Sequence, residues 1–382
     1  MFDLPSDIGA ERLPNRPRKG RGAVSNRGGR FEPTETVAID DGWGRAGIGP
    51  GAANSPQDGP ELAPSSATVI GRDSSRSIIA RNRSPDVPFD RSINPYKGCE
   101  HGCVYCFARP THAYLGLSPG LDFETRIFAK PDAAALLERE LAKPGYRPSV
   151  LALGANTDPY QPAERELGIT RGVLEVLERT RHPTCIVTKS ALVIRDLDIL
   201  AAMAERKLVS VMLSVTTLDR GLARVMEPRA PTPARRLLAV RALNEAGVPT
   251  GVLTAPIVPA INDVELESLL EAVRDAGAKR AGYVLLRLPL EIRDLFVEWL
   301  EAHFPERAAR VMQLVRDTRA GKDYDSTYFR RQRGQGPYAD LLAKRFKLAC
   351  RRLGLNLEGR TEDLDCSQFR PPRSDSRQLS LL

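Results

Sequence analysis

The chain has 382 residues, 42% hydrophobic and 27% charged, with 56 basic against 48 acidic side chains and a net charge of +8. That length can bury a substantial core, and no apolar run reaches the roughly 20 residues that span a bilayer. The N-terminus shows no basic-then-apolar signal pattern, so the expectation is a soluble, cytoplasmic protein without membrane contact, in a compartment that keeps thiols reduced.

Residues 1–85 are rich in Gly, Pro, Ser and Arg with few periodic apolar positions, and read as an irregular arm. Between Arg12 and Arg30 lie seven basic residues and no acid, a run that either binds polyanion or stays solvated. Arg30-Phe31-Glu32 and Asp41-Gly42-Trp43 are local anchors that could dock the arm on the core.

Residues 86–305 alternate short aliphatic runs with longer amphipathic stretches. Strands are predicted near Ser77–Ala80 and Ser92–Asn94, then at Ser149–Gly154, Thr184–Lys189, Val209–Val215, Pro249–Ala255 and Ala281–Arg287. Helices are predicted from Thr170 and over Asp196–Glu205, Thr232–Ala246 and Asp263–Ala276. Repeated strand-then-helix units imply parallel strands, because each return to the same edge needs a crossover. Such a series curls into a full or partial barrel with its site at the C-terminal strand ends.

Residues 306–370 read as a basic helical extension and 371–382 as a flexible tail. From Glu306 to Arg360 there are 14 Lys and Arg against 6 Asp and Glu, while the rest of the chain balances to zero. A local excess of this kind is a footprint compatible with phosphate backbones or a solvated helical face. From Asp323 aromatic and basic residues interleave, a mix that can stack bases and hold phosphates, or begin a terminal helix reaching Leu353.

Three of the six cysteines, Cys99, Cys103 and Cys106, fall in one short stretch after the Ser92–Asn94 strand. Gly98 and Gly102 give its backbone the freedom to curl. The spacing C-x3-C-x2-C reads as one loop around one metal centre. Three thiolates leave one iron of an iron–sulfur cluster with open positions, which suggests chemistry rather than electron storage alone. A zinc site completed by His101 or His112 is the competing reading, although no second C-x2-C exists. A disulfide is excluded, since three close cysteines cannot all pair and no secretion signal is present. Cys185, in a strand, and Cys350, in a helical pattern, are predicted core; with Cys366 they make no second cluster.

With Tyr105 before the last cysteine, the pattern resembles the signature of radical S-adenosylmethionine (SAM) enzymes, and over about residues 70–370 the group related to spore photoproduct lyase, often labelled DNA repair photolyases. The resemblance implies an α/β fold, a partial (β/α)6 TIM-type barrel with an irregular N-terminal arm and a C-terminal helical extension. It implies a [4Fe–4S] cluster on Cys99, Cys103 and Cys106, SAM chelated to the open iron, and reductive cleavage to a 5′-deoxyadenosyl radical. Tyr105 would pack near the adenine. In place of the common Gly-Gly-Glu after the second strand stand Asn156, Thr157 and Asp158, with Glu164 further out; as ordinary turn residues they would only cap a helix. Lys189 would pair with the SAM carboxylate, Ser190 would donate a hydrogen bond, and Ser214 matches a SAM-contacting serine. The segment Ala255–Asp263 would lie along the adenosine, and Arg287 is a candidate for an anionic group of substrate or cofactor.

Two positions depart from the pattern. Where spore photoproduct lyase has a radical-quenching cysteine this chain has Ala155, and its tyrosine after the third cluster cysteine is Phe107 here. Neither side chain donates a hydrogen atom as a thiol or phenol does.

The expected function is therefore a radical SAM enzyme, lyase-like, acting on nucleic acid in DNA repair, served by a reductant such as flavodoxin or ferredoxin. The alternatives are an iron–sulfur or zinc nucleic-acid-binding protein without turnover, and a radical SAM enzyme acting on a protein or small molecule. At the C-terminus Gln378, Leu379, Leu381 and Leu382 resemble the short peptide that binds the DNA sliding clamp, with leucines as apolar anchors.

Overall fold

Runs such as Leu151–Leu153 are apolar at every position and buried throughout, which suits a strand covered on both faces. In the computed structural model, which describes residues 11–12, 15–32, 39–40, 67–357 and 364–372, six such runs form parallel strands. They are, in order, Arg91–Ile93, Leu151–Leu153, Thr184–Thr188, Val209–Ser214, Thr250–Ile257 and Arg280–Leu285. Their spatial order follows their sequence order, each pairing with the next in parallel register, for example Val209 with Thr184 and Val211 with Thr250. The predicted Ser77–Ala80 strand appears as Ile79–Arg81, antiparallel on the free edge of the first strand. The sheet does not close: Ile79–Arg81 and Arg280–Leu285 are its two edges. This is the expected α/β fold, a partial (β/α)6 barrel.

Each parallel strand is followed by a helix: Ala133–Leu141, Ile169–Arg179, Leu197–Glu205, Pro233–Glu245, Leu266–Asp275 and Ile292–His303. Ile169–Arg179 shows why they dock. It buries Ile169, Val173, Leu174, Val176 and Leu177, an apolar stripe at three- and four-residue spacing. The terminal helix, Pro337–Leu353, buries Ala339, Leu342, Ala349 and Cys350 in a cluster with Leu266, Leu270 and Leu285. It starts later than the aromatic–basic stretch, which contains one short turn of helix, Arg330–Arg333.

Several expectations change. A second sheet of three strands, Val69–Arg72, Arg126–Ala129 and Tyr96–Lys97, flanks the cysteine loop and was not predicted. Cys350 is buried as expected, whereas Cys185 is only partly covered, because alternate residues of its strand face a looser layer. The arm is not simply solvated, since residues 21–25 are buried. Phe31 does anchor it, 5.2 Å ring to ring from Tyr114, with the Arg30 guanidinium over both rings. Asp41-Gly42-Trp43 and the stretch Gln378, Leu379, Leu381 and Leu382 lie outside the described residues. Among the described residues no helix is long and apolar enough to cross a membrane.

Candidate active site

The cysteine loop leaves the C-terminal end of the first strand and is shaped by backbone that few residues tolerate. Gly98 and Gly102 have φ of 77° and 69°, and a Cβ on Gly102 would stand 2.8 Å from a carboxylate oxygen of Glu124. Cys99 donates its N–H to Phe123 O at 2.9 Å, Val104 to Met226 O at 3.1 Å and Cys106 to Cys103 O at 3.2 Å. The loop is thus tied on both sides before any metal is considered.

Its carbonyls turn toward one buried cation. Arg109 is wholly buried and donates to the carbonyls of Cys103 (2.9 Å), Gly102 (3.2 Å), Pro119 (3.0 Å) and Gly120 (2.9 Å), and to the Glu124 carboxylate. Glu124, also wholly buried, accepts the N–H groups of Gly22 (2.9 Å) and Ala23 (2.8 Å), while Arg21 donates to the Glu124 carbonyl at 2.9 Å. The N-terminal arm therefore straps directly over the cysteine loop. The approach is so close that a Cβ on Gly22 would lie 1.8 Å from Gly102 O. From the opposite side Gln161 accepts from Glu100 N at 3.0 Å and donates to Gly98 O at 3.2 Å.

The loops after the second and third strands bring the other predicted residues to the same end. Asp158 accepts from the Thr188 hydroxyl (2.7 Å), Lys189 N (2.8 Å) and Tyr160 N (2.9 Å), with His101 Nδ1 3.4 Å away. Burial opposes its ionisation, but His101 and these donors prevail and hold the carboxyl down at about 2. Thr157 donates to Tyr96 O at 2.7 Å, and Ser190 accepts from Leu192 N at 3.2 Å, capping the turn that follows. Asn156 gives its backbone N–H to Asn94 Oδ1 at 3.0 Å. Glu164, further out, accepts from Tyr96, from Thr170 N at 3.0 Å and from Arg195 at 2.8 Å, and braces the barrel.

Tyr105, Lys189 and Ser214 converge on a second buried pair. The Glu227 carboxylate accepts from Tyr105, from Thr216 at 2.6 Å and from Arg236, which also donates to Ser214 O at 3.1 Å. Lys189 Nζ lies 3.9 Å from Glu227 and 5.5 Å above the Tyr105 ring. Burial would raise the Glu227 carboxyl, yet Arg236 and Lys189 bring it down to about 2. Asn262, after the fifth strand, accepts from Val258 N (2.7 Å) and donates to Thr216 O (2.8 Å) and Pro256 O (3.0 Å), fixing the segment Ala255–Asp263. Arg109, Glu124, Gln161, Glu227 and Arg236 were not anticipated, since a single charged or amide side chain in the sequence looks the same whether it is buried or solvated.

The three sulfurs face one environment. Burial pushes each thiol up, Cys103 to about 12, and Cys99 is raised further by the neighbouring Asp158, Cys103 and Cys106. Lys189 pulls Cys103 and Cys106 the other way. Thiolates here need positive charge to exist, and an iron–sulfur cluster supplies it. All three cysteines are free, so the donor set fits a cluster. Among the described residues no group of three or more His, Cys, Asp or Glu is arranged around a single metal ion. A cluster spreads its ligands over separate irons and has no such need. His112 donates Nε2–H to Arg126 O at 3.0 Å.

An uncharacterized protein of Mycobacterium tuberculosis (strain H37Rv) is 39% identical over 242 residues, covering 62% of this chain and 71% of its own. One from Methanocaldococcus jannaschii is 26% identical over 214 residues, 56% of this chain and 76% of its own. Among solved structures, a point variant of spore photoproduct lyase superposes with a TM-score of 0.49 at 17% identity, over 75% of this chain and 80% of that one. The family model of the radical SAM superfamily matches residues 93–273, the cysteine loop and the second to fifth strands included. This chain belongs to that superfamily, whose enzymes use a [4Fe–4S] cluster and SAM.

Proposed function

We propose that Cys99, Cys103 and Cys106 hold the cluster, that Tyr105, Asn156, Asp158, Lys189, Ser190 and Ser214 surround SAM, and that the substrate is nucleic acid, in a reaction of the DNA repair photolyase-like kind. The observation that carries this reading is a loop at the C-terminal ends of parallel strands that holds three free cysteines, Cys103 and Cys106 near enough to raise the Cys99 thiol, with the Lys189 ammonium pulling Cys103 and Cys106 the other way. When bound, the reduced cluster and SAM supply a 5′-deoxyadenosyl radical able to abstract a hydrogen atom.

The remaining work belongs to the chain. Lys189 is placed to pair with a carboxylate, and Glu227 with Arg236 keeps the Tyr105 ring from turning. Thr157 holds the second loop against the cysteine loop and so acts on SAM through position alone. Ala155 and Phe107 offer no S–H or O–H hydrogen, so the final hydrogen atom comes from elsewhere than in spore photoproduct lyase. Electrons come from a small reductant such as flavodoxin or ferredoxin.

Support for nucleic acid comes from the C-terminal extension. Arg316, Arg331, Arg345 and Arg352 are taken up by Asp323, Asp86, Glu267 and Glu271. Arg307, Arg310, Arg330, Arg333, Lys344 and Lys347 remain exposed, and so do Tyr328 and Phe329.

Anaerobic reconstitution followed by reduction with SAM tests the chemistry: 5′-deoxyadenosine should form, and should fall to background in Cys99→Ala together with the cluster's visible absorbance. Titration with single- and double-stranded DNA tests the substrate class, because log affinity should fall linearly with log salt. Turnover of SAM without any salt-sensitive DNA binding would replace nucleic acid by a protein or small molecule.

A further inference from the structure

Three buried arginines come with carboxylates: Arg109 with Glu124, Arg236 with Glu227, Arg91 with Asp90. Arg319, also buried, and its part-exposed neighbour Arg287 have none. Arg319, at the end of the helix Pro305–Asp317, is 1% exposed and donates to the carbonyls of Leu286 and Arg330. Its Nε has no acceptor. Arg287, two residues beyond the sixth strand, also has a buried Nε without an acceptor, and among the described residues its side-chain hydrogen bond is a long one of 3.5 Å to the Tyr324 hydroxyl. Among the described residues neither guanidinium has a carboxylate within ion-pair distance.

The two charges also feel each other. Burial, and next the charge of Arg287, bring Arg319 down to about 10, while Asp325 and Tyr324 offset this only in part. A buried cation beside a part-exposed one, each with a buried Nε that has no acceptor and neither with a carboxylate, is costly, and an incoming anion lowers the cost. Their position says which reactant brings it. The Arg287 guanidinium lies 5.2 Å over the ring of Phe107, the residue after Cys106. Phe107 is 46% exposed, so this corner opens outward next to the cysteine loop. The proposed SAM carboxylate partner, Lys189, instead directly follows the third strand and lies beside Glu227.

We propose that Arg287 grips a phosphodiester of the substrate beside Phe107, with Arg319 behind it as a second fixed positive charge. The inference rests on the nucleic-acid reading and adds where the backbone is held. Arg287 supplies the donors that reach the phosphate; Arg319, bound to the Leu286 carbonyl, orients the turn that carries Arg287.

The test is calorimetric titration of the reconstituted full-length protein with thymidylyl-(3′→5′)-thymidine and with its uncharged methylphosphonate analogue. The charged dinucleotide should bind at least tenfold tighter than the neutral one. Arg287→Gln should erase that preference, and Arg287→Lys should restore part of it. Arg319 is left in place because its loss would free two carbonyls and could unfold the turn. Equal binding of the two dinucleotides to the wild type, or an undiminished preference in Arg287→Gln, overturns the proposal. So does a loss of SAM affinity in place of dinucleotide affinity. If longer single-stranded DNA still binds with a salt slope in those cases, only the phosphate site falls; if no DNA binds the wild type, the nucleic-acid reading falls with it.

Discussion

The two ends of the parallel sheet are built on opposite terms. At the C-terminal end the interior is charged: Arg109 with Glu124, Arg236 with Glu227, Asp158 and Lys189 all lie around the cysteine loop. At the N-terminal end of the second and third strands the closure is mainly aromatic, with one ion pair beside it, Arg91 with Asp90. Tyr146, His182 and Phe369 pack ring against ring at 5.4–5.8 Å, and residues 364–372 return to cover them through Arg370 N to Thr180 O at 2.8 Å. Apolar packing gives stability without direction, whereas charged groups fixed by several hydrogen bonds hold loops at set positions in the absence of a ligand. The first end is organised for placement and the second for cohesion.

The largest break in that comparison should come from Arg109→Met. It strands the Glu124 carboxylate in the interior and frees four loop carbonyls, and loss of one partner of a buried pair costs about 3–5 kcal/mol. Anaerobic denaturant titration measures it. Arg109→Met with Glu124→Gln should be less unstable than Arg109→Met alone, because the uncompensated charge is gone. A single variant within 1 kcal/mol of wild type would mean that the charged end is not held by this pair.

How far the sequence reveals each end follows from the same distinction. The strands were legible because buried strand residues are aliphatic, at every position in Leu151–Leu153 and at alternate positions in Val209–Ser214, where Val209, Val211 and Leu213 are buried. The cysteine loop was legible because its glycines and thiols are chemically unusual. The charged interior was not. Arg235 and Arg236 are adjacent on one helix, yet Arg235 is exposed and Arg236 buried, and only the distant Glu227 decides which is which. The strap was missed for the same reason: a Gly- and Arg-rich segment looks solvated until Glu124, about a hundred residues away, accepts its N–H groups.

A smaller effect sharpens the role of that strap. In Gly22→Ala the new methyl meets the Gly102 carbonyl, so the strap has to shift off the cysteine loop. Overpacking of this kind costs about 1–3 kcal/mol. The cluster should also become more accessible, seen as faster loss of its visible absorbance in air than in the wild type at equal loading. Unchanged stability together with unchanged oxygen sensitivity would show that residues 21–25 cover the loop without constraining it.

The smallest effect probes the apolar end through pH. His182 is wholly buried, donating Nδ1–H to its neighbour Pro183 O at 3.0 Å and accepting from the Tyr146 hydroxyl at 2.8 Å through Nε2. Burial, helped by the charge of Arg91, brings it down to about 4, while the Pro183 carbonyl works the other way. An unfolded histidine titrates near 6.5. Between these values the unfolded chain takes up a proton that the folded chain refuses. This contribution is therefore intact above pH 6.5 and declines as the pH falls toward 4, by up to about 1.4 kcal/mol per unit, then levels off. His182→Gln removes the titration, so at pH 5.5 the wild type should have lost about 1 kcal/mol, relative to pH 7.5, that the variant keeps. Parallel stability curves for the two proteins would mean that residues 364–372 leave His182 open to protons, and that the cohesive end is less closed than its rings suggest.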